Sequence, residues 1–184
     1  SAGVFDVEGR MLAQAVTGTP GHVNAMARSV GHFLDRFPIA EMSEGDIFLT
    51  NDPWKGTGHL HDFTFVTPTF RNGEIVALFA STCHVVDIGG RGMTPDGRQI
   101  YEEGLYIPLM HFARAGKVEQ AVIDNVGANV REAVQVIGDL HVLETCNEIA
   151  CRRLVEMMEG FGITDFDRLV AHIVSNSKSA TPEA

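Results

Sequence analysis

Cysteine is scarce in this sequence: Cys83, Cys146 and Cys151 are the whole complement, and no two stand in a Cys-x-x-Cys pair. Three such thiols make neither a disulfide framework nor a thiolate zinc site. They suit a reducing, cytoplasmic setting, where small buried thiols are ordinary core residues. Basic residues are also few, 14 against 24 acidic ones, for a net charge of −10. A surface of that sign repels phosphate backbones and argues against nucleic acid as a partner. Apolar runs fall far short of the roughly 20 residues that cross a bilayer. No basic segment leads into an apolar one at the start, so neither a membrane partner nor a secretory signal is expected. No Gly-x-x-x-x-Gly-Lys-Ser/Thr word is present, so ATP is expected to bind elsewhere than on this chain. Nor is there an initiating methionine: the chain opens at Ser1 inside what reads as a strand, as an excised or processed piece would.

What the chain does have is enough apolar material, 45 % of 184 residues, to bury a sizeable core. One domain over 1–174 is expected, with a polar, disordered tail at 175–184. Residues 3–16 read as two short strands around Glu8-Gly9, and Thr19-Pro20-Gly21 as a break. Met26, Val30, Phe33 and Phe37 are spaced three or four apart, which predicts a helix over 23–37 closed by Pro38. Ile47-Phe48-Leu49 reads as a buried strand. A glycine-rich loop over 54–61 leads to strands 63–70 and 75–83, joined by Asn72-Gly73, a strong hairpin signal. The stretch from Ile88 to Gly104 is irregular, of the kind that is functional or mobile. Helical periodicity takes over at 119–125, 132–159 and 166–174. Strands first and helices later predict an α+β fold: an antiparallel-rich sheet with a hairpin at about 62–84 and a C-terminal helical segment.

Histidine is the informative residue. Four of the eight, His59, His61, His84 and His111, fall between 59 and 111. A two-residue turn at Asn72-Gly73 would pair Arg71 with Glu74, so that paired positions sum to 145. His61 would then face His84, and Asp62 would face Cys83, with opposed Cβ atoms about 5 Å apart. Two His-x-x-Asp words, His59/Asp62 and His84/Asp87, therefore converge at the open end of the hairpin. Imidazole with carboxylate suits a divalent ion such as Mn, Fe, Zn or Ni. Two histidines and one acid leave coordination positions open, as a catalytic ion needs. Strict strand alternation points Asp62 away from the three histidines, whereas a bulge or irregular backbone restores it. At this level either His61 or Asp62 can be the ligand.

These residues resemble the hydantoinase B family, which includes 5-oxoprolinase and the acetone carboxylase alpha subunit. Asn51-Asp52-Pro53 followed by Gly56, Gly58, His59, Leu60 and Asp62 is similar to the family's N-D-P-x-x-G-G-T-H-x-x-D. His84-x-x-Asp87-Ile88-Gly89-Gly90 is similar to its H-x-x-D-I-G-G, and Glu103-Gly104-Leu105 with Ile107-Pro108 to its E-G-L-x-I-P. Further on, Asn129-x-Arg131 and Gly138-Asp139-Leu140 look like further family words, and near the start Pro20-x-His22 also matches. His61 stands where the family often has proline, and 91–98 lacks the usual Pro-Gly-Ser. Family chains are also considerably longer than this one.

The resemblance implies that His59, Asp62 and His84 hold a metal, manganese first and iron or zinc as alternatives. It implies that Asp52, Asp87 and Glu103 orient substrate or catalyse, and it leaves His22 as a further group able to reach the site. It also implies an ATP-using partner subunit of the hydantoinase A type, which phosphorylates a cyclic amide or imide that is then opened. Carboxylation of a ketone substrate, as in acetone carboxylases, is the alternative within the family. A stand-alone non-haem oxygenase would need a run of short strands that the helical C-terminal third does not supply. A non-catalytic interaction module, with the apolar face of the 132–159 helix covered by self-association into a homo-oligomer, is the reading from another class.

Overall fold

The computed structural model describes residues 1–16 and 18–181. The fold is α+β, built on one seven-stranded sheet in the order β2-β1-β5-β4-β3-β6-β7, with every neighbouring pair antiparallel. The strands are β1 (Ala2–Phe5), β2 (Met11–Gln14), β3 (Ile47–Thr50), β4 (Asp62–Arg71), β5 (Glu74–His84), β6 (Met110–Arg114) and β7 (Lys117–Val118). The helices are α1 (Pro20–Arg36), α2 (Ile100–Glu103), α3 (Gln120–Asn129), α4 (Ala133–Gly160) and α5 (Asp167–Ala180).

The sheet is covered on both sides, which explains why β3 and most of β4 and β5 are buried rather than alternating. Helix α1 lays Met26, Val30 and Phe33 on one face, against Phe5, Phe48, Val66, Leu78 and Ala80. On the other face α3 and α4 pack Val122, Val126, Val136 and Leu140 against Ile47, Leu49, Phe63, Phe65 and Phe112. The far end of α4 and α5 continue that layer over Ala77 through Leu154, Met158, Phe166 and Val170.

Three local readings change. Thr19-Pro20-Gly21 is not a break but the start of α1, with Pro20 in the first turn, where its missing N–H is not needed. A hairpin, β6–β7, lies where sequence periodicity is silent; it turns at Ala115 and Gly116, both with positive φ, without the Asn-Gly that marks the other hairpin. Helix α5 runs on to Ala180, six residues past the expected boundary at 174, and 182–184 of the expected tail lie outside the described residues.

Candidate metal centre

The long hairpin begins as its turn requires. Arg71 pairs with Glu74 and Phe70 with Ile75, the register that a two-residue Asn72-Gly73 loop imposes. Between Thr69 and Phe70 the register then slips, so that Thr69 pairs with Ala77 and Val76 is the extra residue. One extra residue on one strand moves every later pair by one. At the open end Asp62 therefore faces His84, and Phe63 faces Cys83. Alternation from Val66 and Ala80, which touch the α1 layer, puts Asp62, Thr64, Thr82 and His84 on the α1 side of the sheet.

Asp62 is fully buried, and its two oxygens are surrounded by donors. Nδ1 of His84 lies 2.9 Å from Oδ1. Around Oδ2 stand Nε2 of His59 at 3.2 Å, Nε2 of His22 at 3.0 Å, and the Thr57 hydroxyl, which donates at 2.8 Å. His22 comes from the first turn of α1, so the helix that covers this face also delivers a third imidazole. His61 does not bond Asp62; its ring stacks on that of His84, centroids 5.1 Å apart and 12° from parallel. Burial lowers the pKa of His59 below the ordinary imidazole value; Asp62 pulls it upward, and His84 and His22 push it down. Burial likewise lowers that of His61, helped by the neighbouring His84 and His59. Both rings are thus biased toward the neutral form that can bind a cation.

The donor atoms of His59, Asp62 and His84 all lie within 4.8 Å of one another. Ligands on one ion, at bonds of about 2.1 Å, stand up to roughly 4.2 Å apart, so shifts of less than an ångström would close the set. Nδ1 of His59 and Nδ1 of His61 are buried with no hydrogen-bond partner. Such orphaned atoms are costly; the His59 nitrogen that faces Asp62 is the other one, Nε2. On donor chemistry and spacing these residues fit a divalent ion.

The surrounding words act as struts. Asn51 is fully buried; its amide donates to the carbonyls of Leu60 at 2.8 Å and Leu105 at 2.9 Å and accepts from the Ile107 N–H at 2.6 Å. It thereby ties the 54–61 loop to the chain after α2. Asp52 accepts from the Trp54 N–H at 2.9 Å and the Tyr106 hydroxyl at 2.7 Å; burial and that bond raise the Tyr106 pKa to about 12. Asp87 turns toward α4, where it accepts from the backbone N–H of Arg131, Glu132 and Gly89 and from the Arg131 guanidinium. Burial opposes its charged form, but those donors outweigh burial and hold its carboxyl below the usual range.

The Gly-Gly word has a steric reason. Gly89 has φ +74, and an added Cβ would run into the carbonyl of Asn129; Gly90 is pressed in the same way on Glu103. The segment thus pairs backbone to backbone with the end of α2, through Gly92 N–H to Glu103 O at 2.9 Å and Leu105 N–H to Ile88 O at 2.8 Å.

The structure therefore gathers His59, Asp62, His84, His61 and His22. It places Asp52 and Asp87 as anchors of the two loops, and Glu103 beside a cleft next to Gly58. Thr57 and Tyr106 are functional-site neighbours that no spacing rule singles out; the only signal for Thr57 is its place in the loop before His59.

Comparison with known proteins bears on the whole chain. The family model described as Hydantoinase B/oxoprolinase matches residues 1–184. The beta subunit of caprolactamase from Pseudomonas jessenii is 32 % identical over 144 residues, 77 % of this chain and 24 % of that one. The crystal structure of the ATP-dependent caprolactamase from Pseudomonas jessenii superposes with a TM-score of 0.84 at 28 % identity, over 94 % of this chain and 30 % of that one. The nucleotide-free acetone carboxylase structure gives a TM-score of 0.79 at 21 % identity, over 88 % and 22 %, a likeness of fold. The chain spans 30 % or less of the length of the first curated relatives it matches.

Proposed function

The chain belongs to the hydantoinase B/oxoprolinase family, and from that premise we propose that it is the metal-bearing segment of an ATP-dependent amidohydrolase that opens a cyclic amide. The observation that carries this reading is the buried Asp62 carboxylate held among His59, His84 and His22 at the open end of one hairpin. His59, Asp62 and His84 would hold the ion; manganese, iron and zinc all suit two imidazoles and a carboxylate. Bound there, it would supply Lewis acidity toward a carbonyl oxygen and its leaving group.

The chain's own residues set the conditions for that chemistry. Thr57 and His22 hold the Asp62 carboxylate in one orientation, as outer partners of a ligand do. His61, packed flat on His84, limits how far that exposed ring can turn. Asp52 and Asp87 fix the two loops that carry His59 and the Gly-Gly turn, so their part is positioning. Glu103, which lines the cleft next to Gly58, is the acid to which this reading assigns substrate contact. No phosphate-binding word lies on this chain, so the ATP-driven activation of the amide belongs to a partner subunit or domain of the hydantoinase A type. The caprolactamase relative is a beta subunit, which supports an assembly of that kind.

The test is turnover by the complete assembly that contains this segment, comparing the parent with Asp62→Asn. Loss of ring opening by a factor of 100 or more, with ATP still bound by the partner, is the expected result. Unchanged turnover in the Asn variant would end the proposal.

A further inference from the structure

Helix α4 buries Val136, Leu140, Leu143, Asn147, Leu154 and Met158, and Asn147 is the one polar residue among them. The series recurs at steps of three, four or seven, as an apolar stripe on one face of a helix does. Asn147 is fully buried. Its Nδ2 donates to the Thr67 hydroxyl of β4 at 3.0 Å, while its Oδ1 has no partner. One turn further along, the Thr69 hydroxyl donates to Sγ of Cys151 at 3.1 Å. Two residues of strand span about 6.6 Å and four of helix about 6.0 Å, so α4 and β4 run side by side in step at these two rungs. An amide left half satisfied in a core costs stability relative to an apolar side chain of similar volume. Packing alone gives no reason for it.

Register supplies the reason. A displacement of α4 by one turn, about 5.4 Å, would still lay a leucine-rich stripe on the sheet, so apolar contact discriminates weakly between the two positions. Asn147 discriminates in both directions. Moved toward the start of β4, its amide would be buried on Phe65, a ring of the core. Moved the other way, Leu143 would cover the Thr67 hydroxyl. Each displacement strands a buried polar group without a partner, which is the costly case. A lone buried asparagine sets register in coiled coils for the same reason, at a cost in stability.

The register decides where the helix begins. There Asp87 accepts from the backbone N–H of Arg131 and Glu132, and the Arg131 guanidinium donates to the Gly90 carbonyl. We propose that Asn147 is a positioning residue. Its bond to Thr67 sets the register of α4 on the sheet, and so holds Arg131 and Glu132, about 22 Å away along the helix, against Asp87 and the Gly89-Gly90 loop that follows His84. The inference goes beyond the metal-dependent function proposed above and does not depend on it.

The test replaces both partners at once. Thr67→Val combined with Asn147→Leu keeps the shape and removes the bond without stranding either group, so the double variant should fold with a urea midpoint equal to or above the parent's. Its register should nonetheless be lost. In the ¹⁵N-labelled chain the amides of Gly89, Arg131 and Glu132 should each give more than one peak, where the parent gives one. Thr67→Ser, which keeps the hydroxyl, should again give one. Cys151 provides a second reading. Thr69→Cys sets a thiol beside it, and oxidised glutathione should close that disulfide in the parent background. Cα atoms more than about 7 Å apart cannot be bridged, so a helix one turn out of register cannot close it, and in the double variant the cross-linked fraction should fall to about half or less. Amide peaks that stay single at the parental positions, or undiminished cross-linking, overturn the proposal. So does a double variant that fails to fold, which would assign the bond to stability instead of register.

Discussion

Asp62 stands directly across the β4–β5 ladder from His84, with Oδ1 2.9 Å from Nδ1, although the turn that joins the strands dictates a register in which His61 would stand there. The single extra residue at Val76 makes the difference. Because side chains alternate with period two, a one-residue slip decides whether a carboxylate or an imidazole faces the opposing histidine. A bulge of this kind re-aims side chains while leaving the hydrophobic faces of the strand pair matched on either side of it.

That arrangement sets an expectation for metal content. After loading with Mn²⁺ and removal of excess ion, the parent should hold about one equivalent, and Asp62→Asn and His84→Ala should each hold less than about a tenth of that. Excess ion should also raise the parent's melting temperature and leave both variants unmoved; at 100 times the dissociation constant the gain is about 2.7 kcal/mol. Plasma mass spectrometry alongside a thermal melt reads both. A folded His84→Ala protein that keeps its full metal complement would remove His84 from the ligand set.

Two glycines should respond in opposite senses to the same substitution. Gly89→Ala adds a methyl against the Asn129 carbonyl at φ +74 and should cost about 1–3 kcal/mol. Gly138→Ala meets nothing within 4 Å on the exposed side of α4 and should gain up to about 1 kcal/mol through helix propensity. Urea unfolding midpoints check both, and a neutral Gly89→Ala would mean that the Gly-Gly loop does not need its close approach to α3.

Asp87 predicts a pH dependence. Its carboxylate sits at the start of α4 and accepts from Arg131 and Glu132, as a capping acid does at a helix N-terminus. Asp87→Asn, which keeps the shape and removes the charge, should therefore cost about 0.3–1 kcal/mol at pH 7. The folded carboxyl titrates below the unfolded one, so this contribution is complete above the unfolded value of about 4. It fades as pH drops through the lower, folded value. Urea midpoints of parent and variant should converge as the acid range is entered, and a gap that stays constant down to pH 3 would contradict the capping role.

Much of this was legible in the residues. The Asn72-Gly73 turn between two apolar runs marks the hairpin, because that dipeptide favours the twist of paired strands. The two His-x-x-Asp words point to its open end, where the structure gathers His59, Asp62 and His84 while Asp87 turns away to α4. The helical spacing of Ile137, Leu140, Leu143, Leu154 and Met158 marks α4, although Val134 and Ile149 of the same series are exposed. The hairpin β6–β7 was not legible, because Met110-His111-Phe112-Ala113-Arg114 is too short to show alternation. Thr57 was not, because a hydroxyl in a glycine-rich loop carries no periodic signal.

By itself the sequence determined the family, the fold class and the small set of residues among which the proposed centre lies, because composition, turn chemistry and ordered words are local properties. Only the tertiary structure decided the rest. It set Asp62 rather than His61 against His84 through a bulge that depends on how β5 packs, and it brought His22 to the same carboxylate from forty residues away. It also turned Asp87 to the start of α4 and left Glu103 beside the cleft. Each of these depends on which faces meet when α1 and α4 close over the sheet, and no stretch of residues carries that information alone.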